Sequence, residues 1–202
     1  MAKRAEPADR MLDAALKAVA ERGWAALSMA DIAAAAGVPL AQVHARFRSK
    51  SAILSAYGRR IDAAVLAEAA APDAEDDARD RLFDILMLRF EVLSRDRDAV
   101  LAILADAPRQ PGTALCALPS LVGSMGWMLE AAGLSASGWR GLLRAKGLAA
   151  VWLATLEAWR RDESEDLSRT MAALDRNLRR AAGLARLLDR GRWRAKAEPS
   201  PA

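Results

Sequence analysis

Gln42, His44, Arg46, Arg48 and Lys50 crowd into one short segment, inside a stretch from Ile32 to Ile61 that holds no Asp or Glu. Cations and an amide with no competing carboxylate suit the gripping of a polyanion. Duplex DNA carries one negative charge per roughly 1.7 Å of axis, so an acidic side chain on the approaching face would be repelled. Arginine and lysine hold phosphates and set register, whereas Gln42 can read a base edge, preferentially adenine, in bidentate fashion. His44 carries little weight alone; its place beside Arg46 and before Phe47 gives it meaning.

Other chemistries find little footing. The chain has one cysteine, Cys116, and one histidine, which excludes a disulfide framework and multi-cysteine zinc sites and leaves no nucleophile–base triad. No glycine-rich phosphate loop is present. The acidic clusters at 73–77 and 162–166 fall in turns, where they are expected to cap helices and stay in water. The reading is therefore of a protein that is not an enzyme, with no cofactor and no metal.

A reader of DNA needs elements that hold those residues outward. Met11, Leu12, Ala15, Leu16 and Val19 recur at helical spacing between Pro7 and Arg22, and Gly23 ends that helix. Ser28-Met29-Ala30-Asp31 has the form of a helix cap, opening a second helix that ends at Ala36. Gly37 then supplies a tight turn, and Pro39 suits the first turn of a third helix. Ser49 caps a fourth, running to about Ala70. Two short helices around a glycine turn, then a basic cluster, meet the demands of a helix-turn-helix. Ile32, Val38, Val43 and Phe47 would fill its small core.

Over residues 28–54 the chain resembles the TetR family of bacterial one-component regulators. The resemblance rests on Ile32-Ala33, Ala36-Gly37-Val38, Phe47, Ser49-Lys50 and Ile53-Leu54. It implies an all-α, TetR-like fold of about nine helices, in which a three-helix head precedes a larger helical domain. It also implies that Ser28, Leu40, Ala41, Gln42, His44, Ala45, Arg46 and Lys50 face DNA, with Lys50 and the amides of the fourth helix gripping one phosphate. Three positions depart from the family pattern: His44 replaces an aromatic residue, Arg46 a histidine, and Pro39 a small hydroxyl residue. Leu40, Ala41 and Ala45 can touch only thymine methyls, so discrimination would lean on DNA shape.

Beyond the acidic, proline-bearing stretch Ala71 to Asp77, helices are expected at about 78–94, 96–107, 113–132, 138–161 and 165–189. The implied division is a head over 1–50, a connecting helix over 51–71, a ligand-binding and dimerisation domain over 72–189, and a basic tail over 190–202. Gln110 to Trp139 contains a single charge, Glu130, and a helix so apolar must be enclosed by protein, partner or ligand. Met125, Trp127, Met128, Trp139 and Trp152 are the candidate lining of a cavity for a hydrophobic small molecule or lipid. Leu148, Trp152, Thr155 and Trp159 share one helix face, and the small strip Gly147, Ala150, Ala154 and Ala158 lies opposite. From the resemblance, the seam of a homodimer is expected on this helix and the next, at Leu148, Ala150, Ala154, Ala158, Trp159, Leu174 and Leu178. Two copies would present two recognition helices to a palindromic operator.

Arg144 to Leu178, with the acidic turn Arg161 to Leu167, also resembles the C-terminal half of the lipid-binding accessory proteins of ubiquinone biosynthesis, which share the TetR fold. That resemblance implies an isoprenoid pocket and a relic head, as an alternative to regulation. Charge favours the DNA reading. Residues 1–60 hold ten Lys/Arg against five Asp/Glu, whereas the remainder is nearly neutral. The N-terminus lacks the apolar run of a signal peptide, and a cytoplasmic location is expected. Leu184, Leu187, Leu188 and Trp193 among Arg186, Arg190, Arg192, Arg194 and Lys196 leave peripheral membrane contact by the tail open.

Overall fold

The computed structural model describes residues 7–69 and 77–195, the side chains of 113–114 and 184–195 excepted. Among the described residues the chain is all helical. The helices are α1 (Pro7–Arg22), α2 (Met29–Ala36), α3 (Leu40–Arg46), α4 (Lys50–Glu68), α5 (Ala78–Ser94), α6 (Arg97–Asp106), α7 (Pro111–Ala131), α8 (Gly138–Arg160) and α9 (Ser168–Ala195), with one 3₁₀ turn at Ala107–Arg109. All of the expected boundary stretch but Asp77, and the side chains of the basic tail, lie outside the described residues.

The head forms as its caps and apolar spacing require. Gly23 leaves α1 at φ +81°, a left-handed conformation that glycine enters without steric cost. The Ser28 hydroxyl accepts from the Asp31 amide while the Asp31 carboxylate accepts from the Ser28 amide, a complete capping box. Hydrogen bonds donated to its carboxylate by the Ser28 hydroxyl and then the Ser28 amide hold Asp31 down to a pKa of about 2. Leu12, Leu16, Val19, Trp24, Leu27, Ile32, Val43, Phe47 and Ile53 close over one another as the core of the head.

Helix α4 then leaves the head and enters the larger domain. Ile53, Tyr57, Ile61 and Val65 are buried along it in a core that runs continuously from head to body, with Gly58 between the first pair and the second. In the larger domain α4, α5, α7, α8 and α9 pack together, while α6 lies against α1. The centre is aromatic: Phe90 stacks on Trp152 with ring centroids 4.1 Å apart and lies 6.4 Å from Trp159. Arg97 lies over the Trp159 ring at 4.6 Å and donates to the carbonyls of Trp159 and Asp162.

Two helix starts differ from expectation. Helix α7 begins at Pro111, since a proline in the first turn forfeits no helical hydrogen bond. Helix α9 begins only at Ser168, because Asp162 organises the turn before it. Asp162 is 1% exposed, which corrects for this residue the expectation that the acidic turn stays wet, whereas Glu163, Glu165 and Asp166 are exposed. Its carboxylate accepts from the amide and hydroxyl of both Ser164 and Thr170. Burial pushes its pKa up, but those four bonds outweigh burial and hold it at about 2. A carboxylate held below its ordinary range stabilises the fold above that range and loses this contribution as pH falls through the folded value. In urea titrations, the stability deficit of Asp162→Asn relative to the native protein should therefore be constant above about pH 4 and shrink toward pH 2.

Candidate nucleic-acid interface and ligand-binding body

The turn between α2 and α3 is built around Gly37 at φ +64°. Its amide donates to the Ala34 carbonyl and that of Val38 to Ala33, so the last carbonyls of α2 are satisfied as the chain reverses. Pro39 stands just before α3 rather than within its first turn, and no side chain caps that helix. Only Val43 of α3 is buried, at 0% exposure, while Leu40, Ala41, Gln42, His44, Ala45 and Arg46 are all exposed. One inward residue thus anchors a helix whose remaining surface is open, and no carboxylate lies between Asp31 and Asp62 to oppose a phosphate.

The flanking residues divide. The Ser28 hydroxyl is occupied at 2.5 Å by the Asp31 carboxylate it caps with. Ser49 caps α4 by accepting from the Ala52 amide. Lys50 turns inward: its ammonium donates to the Trp24 carbonyl at 2.5 Å and lies 4.7 Å from the Trp24 ring. Desolvation lowers the Lys50 pKa, and Asp106 opposes that shift. In this arrangement Lys50 ties α4 to the turn before α2 instead of standing open for a phosphate. Arg48, exposed in the turn between α3 and α4, holds the outward place. Its signal in the sequence was its position within the carboxylate-free stretch, one residue after the buried Phe47.

The head is fastened to the rest of the chain by charge. Asp106, at the end of α6, accepts from the Ala25 amide at 2.7 Å. Arg60 of α4 pairs with both Asp13 of α1 and Asp96 at the start of α6. Two residues further along α4, Asp62 forms a buried ion pair with Arg89, and Ser124 of α7 donates to Asp62 at 2.6 Å. The Arg89 guanidinium also lies 5.1 Å from the Trp152 ring, and its Nε has no hydrogen-bond partner. Burial pushes the Arg89 pKa down, and the Asp62 carboxylate pulls it back.

The body holds an open groove of about 790 Å³ between the start of α5, the end of α7, α8 and α9. Of the five residues expected to line a cavity, only Trp139 borders it. Met125 and Met128 are fully buried in the core, Trp152 is stacked on Phe90, and Trp127 is 59% exposed on the outer side of α7. The expected dimer seam needs a similar correction. Trp159 and Leu174 are 0% exposed, and Leu148 and Leu178 are buried, because this face of α8 and α9 packs within its own protomer. Ala150 and Ala154 are exposed and Ala158 partly so, as the small strip on the opposite face requires. Leu142, Leu153 and Met171 are exposed large apolar residues on the outer surface of the same two helices. Among the described residues there is no group of three His, Cys, Asp or Glu placed to hold a metal, and no helix long and apolar enough to cross a membrane.

Residues 11–57 match the family described as bacterial regulatory proteins, tetR family. No curated protein matches the sequence. Among solved structures, the chain is similar to a TetR transcriptional regulator from Nitrosomonas europaea ATCC 19718, with 27% identity and a TM-score of 0.67 over 87% of this chain and 97% of that one. It shares the fold of a TetR transcriptional regulator from Rhodococcus sp. RHA1, at 18% identity and a TM-score of 0.65, covering 87% of this chain and 94% of the other. A multidrug binding protein, EbrR, solved with imidazole, is 25% identical with a TM-score of 0.53, covering 86% and 96% of the two chains.

Proposed function

We infer that this chain, a DNA-binding regulator of the TetR family by its head and its fold, is a homodimeric, cytoplasmic repressor without enzymatic activity, whose operator affinity responds to a hydrophobic small molecule held in the body. The single observation that carries the reading is α3, six of whose seven residues are exposed on a face free of carboxylates. Gln42 reads a base, Leu40, Ala41 and Ala45 meet thymine methyls, and His44, Arg46 and Arg48 lie along the backbone. Lys50 supports them from behind by fixing the start of α4 against Trp24. The exposed strip Ala150, Ala154 and Ala158, with Leu142, Leu153 and Met171 around it, supplies an apolar surface where a second copy can approach closely.

Ligand control requires that the ligand prefer one dimer geometry, since equal affinity for both would shift nothing. The alternative, a lipid-binding accessory protein with a relic head, gives no reason for keeping a carboxylate-free reading face. Fluorescence anisotropy with duplexes from around its own gene decides between them. Binding should weaken by about 10³ or more between 50 and 200 mM salt if six or more phosphates are engaged. Arg48→Ala should weaken all duplexes alike and flatten the salt dependence, whereas Gln42→Ala should mainly relax sequence preference. No binding to any such duplex at low salt would overturn the regulator.

A further inference from the structure

Helix α3 turns a single residue inward, and that fixes where its other side chains stand. Val43 is fully buried, and at about 100° per residue the crest opposite it is formed by Ala41 and Ala45. Gln42 and Arg46 lie on one flank of this crest, and Leu40 and His44 lie on the other. All six are exposed. An alanine crest lets the helix sink into a major groove roughly 12 Å wide, so its two flanks meet opposite walls, each a row of phosphates. Arg46 brings a permanent cation to one wall. On the other flank, His44 is the one ionisable residue that α3 offers.

An imidazole is the one side chain that ordinarily changes charge between about pH 5 and pH 8, and His44 is the only histidine in the chain. Its neighbours leave that charge to be matched from outside. Helix α3 packs on α2, whose one ionisable residue, Asp31, is taken up by the Ser28 cap and by Arg22 of α1 at 3.2 Å. From α1 the core beneath α3 receives only apolar residues, Leu12, Leu16 and Val19. The chain that follows brings Arg46, Arg48 and Lys50, and Lys50 is turned to the Trp24 carbonyl. These neighbours offer the ring cations and no free carboxylate. A duplex supplies the missing anions, so the protonated ring is favoured in the complex over the free protein. By reciprocity, the proton then favours the complex by the same factor.

We propose that operator binding is coupled to proton uptake at His44, one proton per protomer, so that α3 holds both walls of the groove by charge only when this ring is protonated. The coupling rests on the reading of α3 as the helix that enters DNA, and it adds a chemical signal to which that helix responds directly. The added affinity is present on the acid side of the histidine range and is lost on the alkaline side. The ligand-binding body takes no part in it.

Fluorescence anisotropy of the full-length protein tests this, using whichever duplex from around its own gene it binds most tightly, at pH 6 and pH 8 and matched ionic strength. The native protein should bind at least fivefold more tightly at pH 6, where log affinity should also fall more steeply with log salt, by up to about 0.9 for each protomer engaged. His44→Arg should keep the tighter affinity at both pH values, and His44→Gln the weaker one at both. Circular dichroism that is unchanged between the two pH values keeps folding out of the comparison. Equal affinity of the native protein at pH 6 and pH 8 would overturn the coupling and leave the DNA reader standing. A pH dependence that survives His44→Gln would assign the proton to another group, such as Lys50, and overturn it as well. No binding at either pH would overturn both the coupling and the regulator.

Discussion

Arg89→Met will lower the unfolding free energy by about 3–5 kcal/mol, read as a fall in the urea midpoint at unchanged slope. The variant preserves most of the side chain's volume, so packing against Trp152 is not the main loss. What changes is that Asp62 stays buried between α4, α5 and α7 with its charge no longer matched, and the Ser124 hydroxyl remains its donor. Removing one partner of a buried pair is far costlier than removing both, since the remaining charge has left water without compensation. The double variant Asp62→Asn/Arg89→Met should accordingly recover more than half of the loss, because asparagine still accepts from Ser124 and carries no charge. If the single and double variants are equally unstable, the pair matters through shape and not through charge.

Trp159→Ala should cost about 3–5 kcal/mol in the protomer itself. The indole is fully buried, stacks near Phe90, donates to the Ser94 hydroxyl at 3.0 Å and lies under the Arg97 guanidinium. Truncation opens a void, takes one of its two partners from the Ser94 hydroxyl and removes the surface on which Arg97 lies. Ala154→Arg should do the reverse. Its position is exposed on the small strip of α8, so the unfolding midpoint should barely move while sedimentation shows the dimer split into monomers. A midpoint unchanged by Trp159→Ala, with loss of self-association, would return Trp159 to the seam where the family resemblance had placed it.

These two variants mark where the sequence was legible. Its local signals were sound: Ser28 with Asp31, the glycine at 37 and the serine at 49 act within a few residues, and each sits where the caps and turns are found. Helical spacing also sorted Leu148, Trp152, Thr155 and Trp159 onto one face of α8 and the alanines onto the other. Spacing cannot say which face a helix turns inward, however, and the aromatic face packs within its own protomer. The direction of Lys50 depends on a carbonyl twenty-six residues away, at Trp24, which no local pattern encodes. Arg89 was hidden for another reason. An arginine is assigned to solvent by default, and only the approach of Asp62 from a different helix allows it inside. The groove was missed because its walls come from four helices, each ordinary on its own.

The unbroken run of α4 from head to body has a mechanical consequence. Nineteen residues form a strut of about 28 Å, and Gly58, near its middle, is the residue least able to resist flexure. Bending stiffness is therefore lowest where one half of the molecule gives way to the other. Arg60, two positions on, braces that point against α1 and α6 at once. Torque on the C-terminal half of α4 would then pass through that brace to α1 and α6 together, with α3 carried as a passenger.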